Sequence, residues 1–273
     1  MSSAPGDKVI SVLRFETLDY AVGLSLQERL VALRQEERIG DVLLLVEHTP
    51  VITFGRNAKA KNLLASPQVL EERGVAVFEC NRGGDVTFHG PGQLVAYPIF
   101  DLRGFPSPSS HRRTLGVIEF VRCLEEVLIR TCEEFGIPAK RIPGLTGVWT
   151  VGARSQAGEI AEAKIAALGV HIARGVSSHG VALNVNTDLS FFNLIVPCGI
   201  TAKPVTSMAK ELNRTLSLAD VASALSRQFG AVFERPIVFR ENLDALLGAT
   251  LGIPMRVPEN LRKIQGEDES RLG

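Results

Sequence analysis

The sequence has 273 residues, 45% hydrophobic and 22% charged, with 30 basic residues balancing 30 acidic ones. That is an ordinary globular composition with enough apolar material for a substantial core, and zero net charge argues against a general binder of nucleic acid or anionic membrane. No apolar run approaches the roughly 20 residues that cross a bilayer, and the opening MSSAPGDKVI has neither a secretory apolar stretch nor an arginine-rich transit helix.

Val9 to Phe15 predicts a first strand, and Val22, Leu26, Leu30 and Leu33 then share one face of an amphipathic helix ending near Gly40. DVLLLVEH and VITFG, split by Thr49-Pro50, predict two strands. KNLLASPQVLEERG holds a short helix and VAVFEC another strand. QLVAYPIFDL is strand-like, with Pro98 favouring an edge position or a bend. After GFPSPSS comes the strongest helix signal, a stripe of Val117, Val121, Leu124 and Leu128 with Glu and Arg opposite. GVWTVG, KIAALGVHIA and HGVALNVN predict three more strands. Ser217 caps a final helix, with Asp220 three residues on and Leu218, Val221, Leu225 and Phe229 on one face. The expectation is an α+β protein: one domain over residues 7–235, then a C-terminal extension over 236–273 whose charged tail GEDESRLG is disordered.

The four cysteines, Cys80, Cys123, Cys132 and Cys198, form neither a disulfide framework nor a metal-ligand spacing, so a reduced, cytoplasmic protein is expected, with no metal. Cys123 and Cys132 fall within the strongest helix and read as small hydrophobes. Cys198 differs. It stands in VPCGI, where proline restricts the backbone before it and glycine lets a substrate approach after it. It reads either as a cysteine buried in a turn or as a nucleophile, and a nucleophilic thiol needs a cation or base from elsewhere in the chain. His89, His171 and His179 offer a Cys/His pair. Lys164, opening a run that is apolar on both alternating faces, offers a Cys/Lys pair in which a partly desolvated amine can accept a proton. The bland alternative for Lys164 is a solvated strand end. RGGDVTFHG, at residues 82–90, reads either as a turn between strands or as a binding loop at a sheet edge.

Taken together, RGGDVTFHGPGQLVAYPIFDL, TGVWT, KIAALGVHIARGVSSHGVALNVNTDLSFFNLIVPCGI and VTSM resemble the octanoyltransferase family of lipoate biosynthesis over roughly residues 10–235, with the blocks in the family's order and spacing. The resemblance implies a mixed β-sheet core flanked by helices, like the catalytic domain of biotin and lipoate protein ligases. It implies transfer of an octanoyl group from octanoyl-acyl carrier protein to the acceptor lysine of lipoyl domains, those of 2-oxoacid dehydrogenase complexes and the glycine cleavage H protein. The family's catalytic pair maps onto Cys198 and Lys164. Its acyl-substrate loops map onto Arg82-Gly83-Gly84-Asp85-Val86-Thr87-Phe88-His89, Ala167-Leu168-Gly169 and Gly180-Val181-Ala182. No cofactor is implied, because a thioester is already activated. Within that reading Arg82 is a structural anchor or a carrier-protein contact, Asp85 bonds amides of its own turn, and His89 either orients the loop or faces substrate. One departure is the stretch TVGARSQAGEIAEA between Trp149 and Lys164, longer than the family's short polar turn. The competing readings are an ATP-dependent lipoate or biotin ligase, a Cys/His hydrolase, and an inactive binding module for lipoyl domains.

Overall fold

The structure is a computed structural model that describes residues 9–108, 113–151, 162–196 and 203–247. Its centre is β2 (Asp41–His48), whose DVLLLVEH is buried along almost its whole length, as expected of a strand covered on both faces. β1 (Ile10–Leu18) lies parallel to it with Ile10 opposite Asp41, and β6 (Gln93–Ile99) lies antiparallel on its other side with Leu44 opposite Tyr97. β10 (Val176–Asn184), β9 (Lys164–Ala173), β8 (Leu145–Thr150) and β7 (Ala139–Ile142) continue the sheet antiparallel outward from β6. β11 (Ile237–Arg240), in the segment read as a C-terminal extension, adds a parallel edge strand beside β1. The charged tail and most of the long connection before Lys164 lie outside the described residues.

A second sheet of three strands holds β3 (Val51–Phe54) between β4 (Ala76–Glu79), parallel, and β5 (Val86–His89), antiparallel. α1 (Tyr20–Gln35) starts where the Asp19 carboxylate accepts the Ala21 amide at 2.8 Å. It packs across one face of the large sheet through Leu26, Leu30 and Leu33, and its first turn reaches the small sheet through Tyr20, Leu24 and Phe78. α2 (Pro67–Glu72) begins with proline in its first turn behind a Ser66 cap. α3 (Val117–Glu134) and α5 (Leu218–Phe233) cover the opposite face of the large sheet, and α5 is capped by Ser217 Oγ accepting the Asp220 amide at 3.2 Å. The short α4 (Met208–Leu212) and α6 (Leu243–Leu247) are the remaining α-helices among the described residues. Among the described residues no helix is long and apolar enough to cross a membrane.

Two expectations need correction. Pro98 lies in an interior strand, not at an edge. Its missing N–H costs nothing because the β10–β6 ladder stops at Val181–Ala96, where β10 turns through His179 at φ 55°, and the Ser177 hydroxyl donates to the Pro98 carbonyl at 2.7 Å. The apolar stripe of α3 is also rotated from the predicted one. Val117 is 53% exposed and Ile118 77%, while Phe120, Leu124, Val127, Leu128 and Cys132 face the core.

Candidate active site

Between the two sheets lies a cleft with about 470 Å³ of empty space, part of it open to solvent, and its walls come from five separate parts of the chain. Alternation along β5 turns Thr87 and His89 into it and sends Val86 and Phe88 the other way, where Phe88 stacks on Phe191 at 4.7 Å. Arg82 and Gly84 come from the loop before β5. Ala167, Leu168 and Gly169 come from β9, and Gly180, Val181 and Ala182 from the facing stretch of β10, with Gly169 opposite Gly180. Small residues are required here by close approach. A Cβ on Gly169 would stand 2.6 Å from the Gly83 carbonyl oxygen, and one on Gly180 would overlap the Ala96 carbonyl.

The loop is held by its own polar residues. Arg82 is buried, and its guanidinium donates to Thr53 Oγ1 at 2.9 and 3.1 Å, to the Thr53 carbonyl at 2.6 Å, to the Asp85 carbonyl at 2.6 Å and to the Gly83 carbonyl at 3.1 Å. It is a structural anchor. Asp85 accepts the Val86 amide at 2.8 Å and the Asn62 side chain at 2.5 Å, as a turn residue does, and the Gly83 amide donates to Val170 of β9 at 3.0 Å. Of the eight predicted loop residues, Arg82, Gly84, Thr87 and His89 therefore line the cleft, while Gly83, Asp85, Val86 and Phe88 fasten the loop behind it.

The cleft adjoins a narrower hollow that opens to solvent, sharing Thr87, Ala167 and Ala182 and reaching Lys164, Gln93, Asn184, Phe192 and Val205. Lys164 is 7% exposed, with its ammonium 5.2 Å from the centre of the Trp149 ring. Its backbone is clamped from both sides. The Lys164 amide donates to Pro204 at 2.8 Å, and the Thr206 amide donates back to the Lys164 carbonyl at 2.9 Å. Cys198 lies outside the described residues. The chain on either side of that segment is anchored: Val196 donates to the Asn62 carbonyl at 2.7 Å, and residues 203–206 run beside Lys164.

A polar chain ties the two ends together, and sequence reading did not find it. Gln93 Nε2 donates to the Phe88 carbonyl at 3.2 Å and to Asn184 Oδ1 at 2.9 Å, which leaves Gln93 Oε1 to accept from His89 Nδ1 at 2.7 Å. Asn184 in turn donates to the Thr206 carbonyl at 3.0 Å. The proton on His89 is thus fixed at Nδ1. Gln93 follows HGPG and Asn184 sits in LNVN, but nothing in either run marks a partner 91 residues away.

Part of the wall away from the Lys164 cavity is aromatic. Tyr20 stacks on His89 at 6.3 Å with a 6° interplanar angle and meets His48 edge-on at 5.3 Å. His48 Nδ1 donates to the Leu18 carbonyl at 3.0 Å, so its Nε2 accepts the Tyr97 hydroxyl at 2.7 Å. Burial lowers His48 to about 4, and it lowers His89 and His179 to about 3, so all three are neutral. His179 donates from Nε2 to Asn81 Oδ1 at 2.6 Å. Burial likewise raises the Cys132 thiol to about 12, and burial also raises Cys123; neither thiol is reactive.

The profile of the lipoyl protein ligase A/B catalytic domain matches residues 19–230. An octanoyltransferase of Koribacter versatilis is 54% identical over 265 residues, covering 97% of this chain and 100% of that protein. One of Chloroflexus aurantiacus is 48% identical over 227 residues, covering 83% and 95%. Among solved structures, the bi-partite lipoate protein ligase of Thermoplasma acidophilum matches with a TM-score of 0.62 at 18% identity, over 86% of each chain. P. falciparum LipL1, in complex with lipoate, matches at 0.61 and 14%, over 89% of this chain and 68% of that one. At those identities the likeness is one of fold: a mixed sheet flanked by helices.

Proposed function

This chain belongs to the octanoyltransferase family, with the lipoyl protein ligase A/B catalytic domain, and on that premise we propose that it carries an octanoyl group from octanoyl-acyl carrier protein to the acceptor lysine of lipoyl domains. The acceptors are those of the 2-oxoacid dehydrogenase complexes and the glycine cleavage H protein, met in a reducing cytoplasm where the Cys198 thiol stays free. The acyl group passes through a thioester on Cys198. The single observation that most supports this reading is Lys164, a buried amine at the end of an apolar cleft, in a chain that aligns end to end with octanoyltransferases.

The steps balance without a metal or nucleotide. The Cys198 thiolate attacks the octanoyl thioester carbonyl, the carbonyl-to-carrier C–S bond breaks, and the carrier leaves as a thiol that takes its proton from the Lys164 ammonium. The acceptor amine, neutral when it attacks, adds to the acyl-cysteine. The new C–N bond forms, the C–S bond to Cys198 breaks, and the amine's surplus proton goes to the now neutral Lys164, which restores the thiolate and ammonium. As an ammonium, Lys164 favours the thiolate at the start and at the end of the cycle. His89 and His179 stay neutral at physiological pH, so neither supplies that cation. The cleft of small residues over β9 and β10 takes the alkyl chain, and Arg82 keeps its loop wall in place.

The test is intact mass measurement after incubation with octanoyl-carrier protein and a lipoyl domain, with and without ATP. The expected result is an octanoyl mass on the enzyme, lost by Cys198→Ala, and the same mass on the acceptor, both without ATP. Strict dependence on ATP with free octanoate would instead make the protein a ligase, and release of free octanoate without an acylated acceptor would make it a hydrolase.

A further inference from the structure

Resting on that reading, the geometry points to Tyr20, stacked on His89 and backed by the Tyr97–His48 pair, as the wall that sets the length of acyl chain the cleft accepts.

The bore and the end of the cleft are built from different materials. Along the bore the strands set Ala167, Gly169, Gly180 and Ala182 beside Val95, Leu168 and Val181. An alkyl chain meets a low, apolar wall there. Away from the residues shared with the Lys164 cavity, the lining includes the rings of Tyr20, His89 and Tyr97. These three rings are not free to swing aside. Tyr20 leaves the first turn of α1, where Asp19 caps the helix, and its ring is held by Phe78 at 5.6 Å, His48 at 5.3 Å and His89 at 6.3 Å. His89 is pinned by Gln93, and Tyr97 by His48. A rigid aromatic end is a wall, whereas a Met- or Leu-rich end would yield.

The strands give the scale. Asn184 lies opposite Gln93 at the Lys164 end, and Gly180 packs against the backbone between Ala96 and Pro98, beside Tyr97. The four residue steps from Asn184 to Gly180 cover about 13 Å. An extended eight-carbon chain, at the rise per bond of an extended backbone, covers about 8 Å and lies within that stretch. A longer chain meets the Tyr20 and Tyr97 rings, which are packed in place.

The experiment compares hexanoyl-, octanoyl-, decanoyl- and dodecanoyl-carrier protein as donors for wild type, Tyr20→Val, Tyr20→Trp and Tyr20→Phe. Wild type is expected to fall at least tenfold in kcat/KM from octanoyl to dodecanoyl, since each misfitted methylene costs about tenfold or more. Tyr20→Val opens the end, and its dodecanoyl-to-octanoyl ratio should rise at least tenfold. Tyr20→Trp should move the optimum toward hexanoyl, and Tyr20→Phe, which keeps the ring, should keep the wild-type order. Binding of the free fatty acids, followed by calorimetry, reads the same order without any transfer. Ratios unchanged in both Tyr20→Val and Tyr20→Trp, or an unchanged binding order, would overturn the wall. If Tyr20→Val fails to fold, the Tyr20→Trp profile and its binding order decide alone. A wild type that binds octanoate best but transfers nothing would leave the wall standing and defeat the proposed reaction.

Discussion

The two faces of the large sheet are built by opposite rules. On the α3 and α5 face, Phe100, Phe105, Phe120, Phe229 and Phe233 interlock with ring centres 5.3 to 6.4 Å apart, inside a cluster of Leu, Val and Ile. On the face toward α1 and the small sheet, Leu, Val and Ile pack under α1, but where β9 and β10 meet the small sheet they present Ala and Gly, with three buried histidines, a buried arginine and a buried lysine around them. One face is a core throughout, and the other gives way to a cleft of small apolar residues edged with buried polar groups. The dense side supplies the burial that lets the other carry cavities and neutralised histidines, each a cost to folding.

The comparison breaks most sharply under substitution at the cleft. Lys164→Met keeps an apolar stem and removes the amine. Transfer should fall by about 10²- to 10⁴-fold, the usual worth of a positioned acid–base group, with little change in the denaturation midpoint. Steady-state transfer and urea unfolding check the two halves together. The reverse pattern is expected across the sheet: Phe229→Ala, a fully buried ring, should cost about 3–5 kcal/mol of stability, read as a lower urea midpoint. The surviving folded fraction should keep the wild-type preference for octanoyl over dodecanoyl donors.

Acid sharpens the contrast further. The folded protein holds His48 near 4 and His89 and His179 near 3, below the ordinary value of about 6.5. Between pH 6.5 and those values the unfolded chain binds protons that the folded chain refuses. Stability is therefore full above pH 6.5 and drains as the pH falls, by at most about 1.4 kcal/mol per pH unit for each histidine. Urea midpoints at pH 7.5 and 5 should show the loss, and His48→Gln should reduce its slope. A flat midpoint over that range would mean that the histidines take up protons in the folded state.

The smallest effect concerns the bore. A Cβ on Gly169 would meet the Gly83 carbonyl oxygen at 2.6 Å, so Gly169→Ala pushes the loop. Butanoyl and octanoyl transfer should fall together, by about tenfold or less for a displacement of a few tenths of an ångström. A loss confined to octanoyl would put the residue in the path of the chain end.

These regions were unequally legible in the sequence. Strands such as DVLLLVEH and KIAALGVHIA announce themselves because burial on both faces demands continuous apolar residues, and that signal is local. The loop 82–89 and the β9 and β10 segments stood out only through their resemblance to a known family, and the structure brings four of the eight loop residues to the cleft. What failed was whatever depended on a partner far along the chain. Pro98 is compatible with an interior strand only because β10 bends away at His179, about 80 residues later. Val117 has the right spacing for a buried stripe, but Phe120 is larger and the helix turns that side inward. Tyr20 reads as the first residue of a helix and gives no hint of His89. The chain Gln93–Asn184–Thr206 joins residues that only the sheet register brings together.

The central claim is that Cys198 and Lys164 act as one unit, and alkylation of Cys198 against pH, followed by peptide mass, tests it most directly. A thiolate beside an ammonium titrates below the ordinary thiol value of about 8.5. Wild type should therefore react with a midpoint below that value, and Lys164→Met should return the midpoint toward it. An identical titration in the two proteins would contradict the pairing, and a shift seen only in His89 or His179 variants would transfer the role of partner to a histidine.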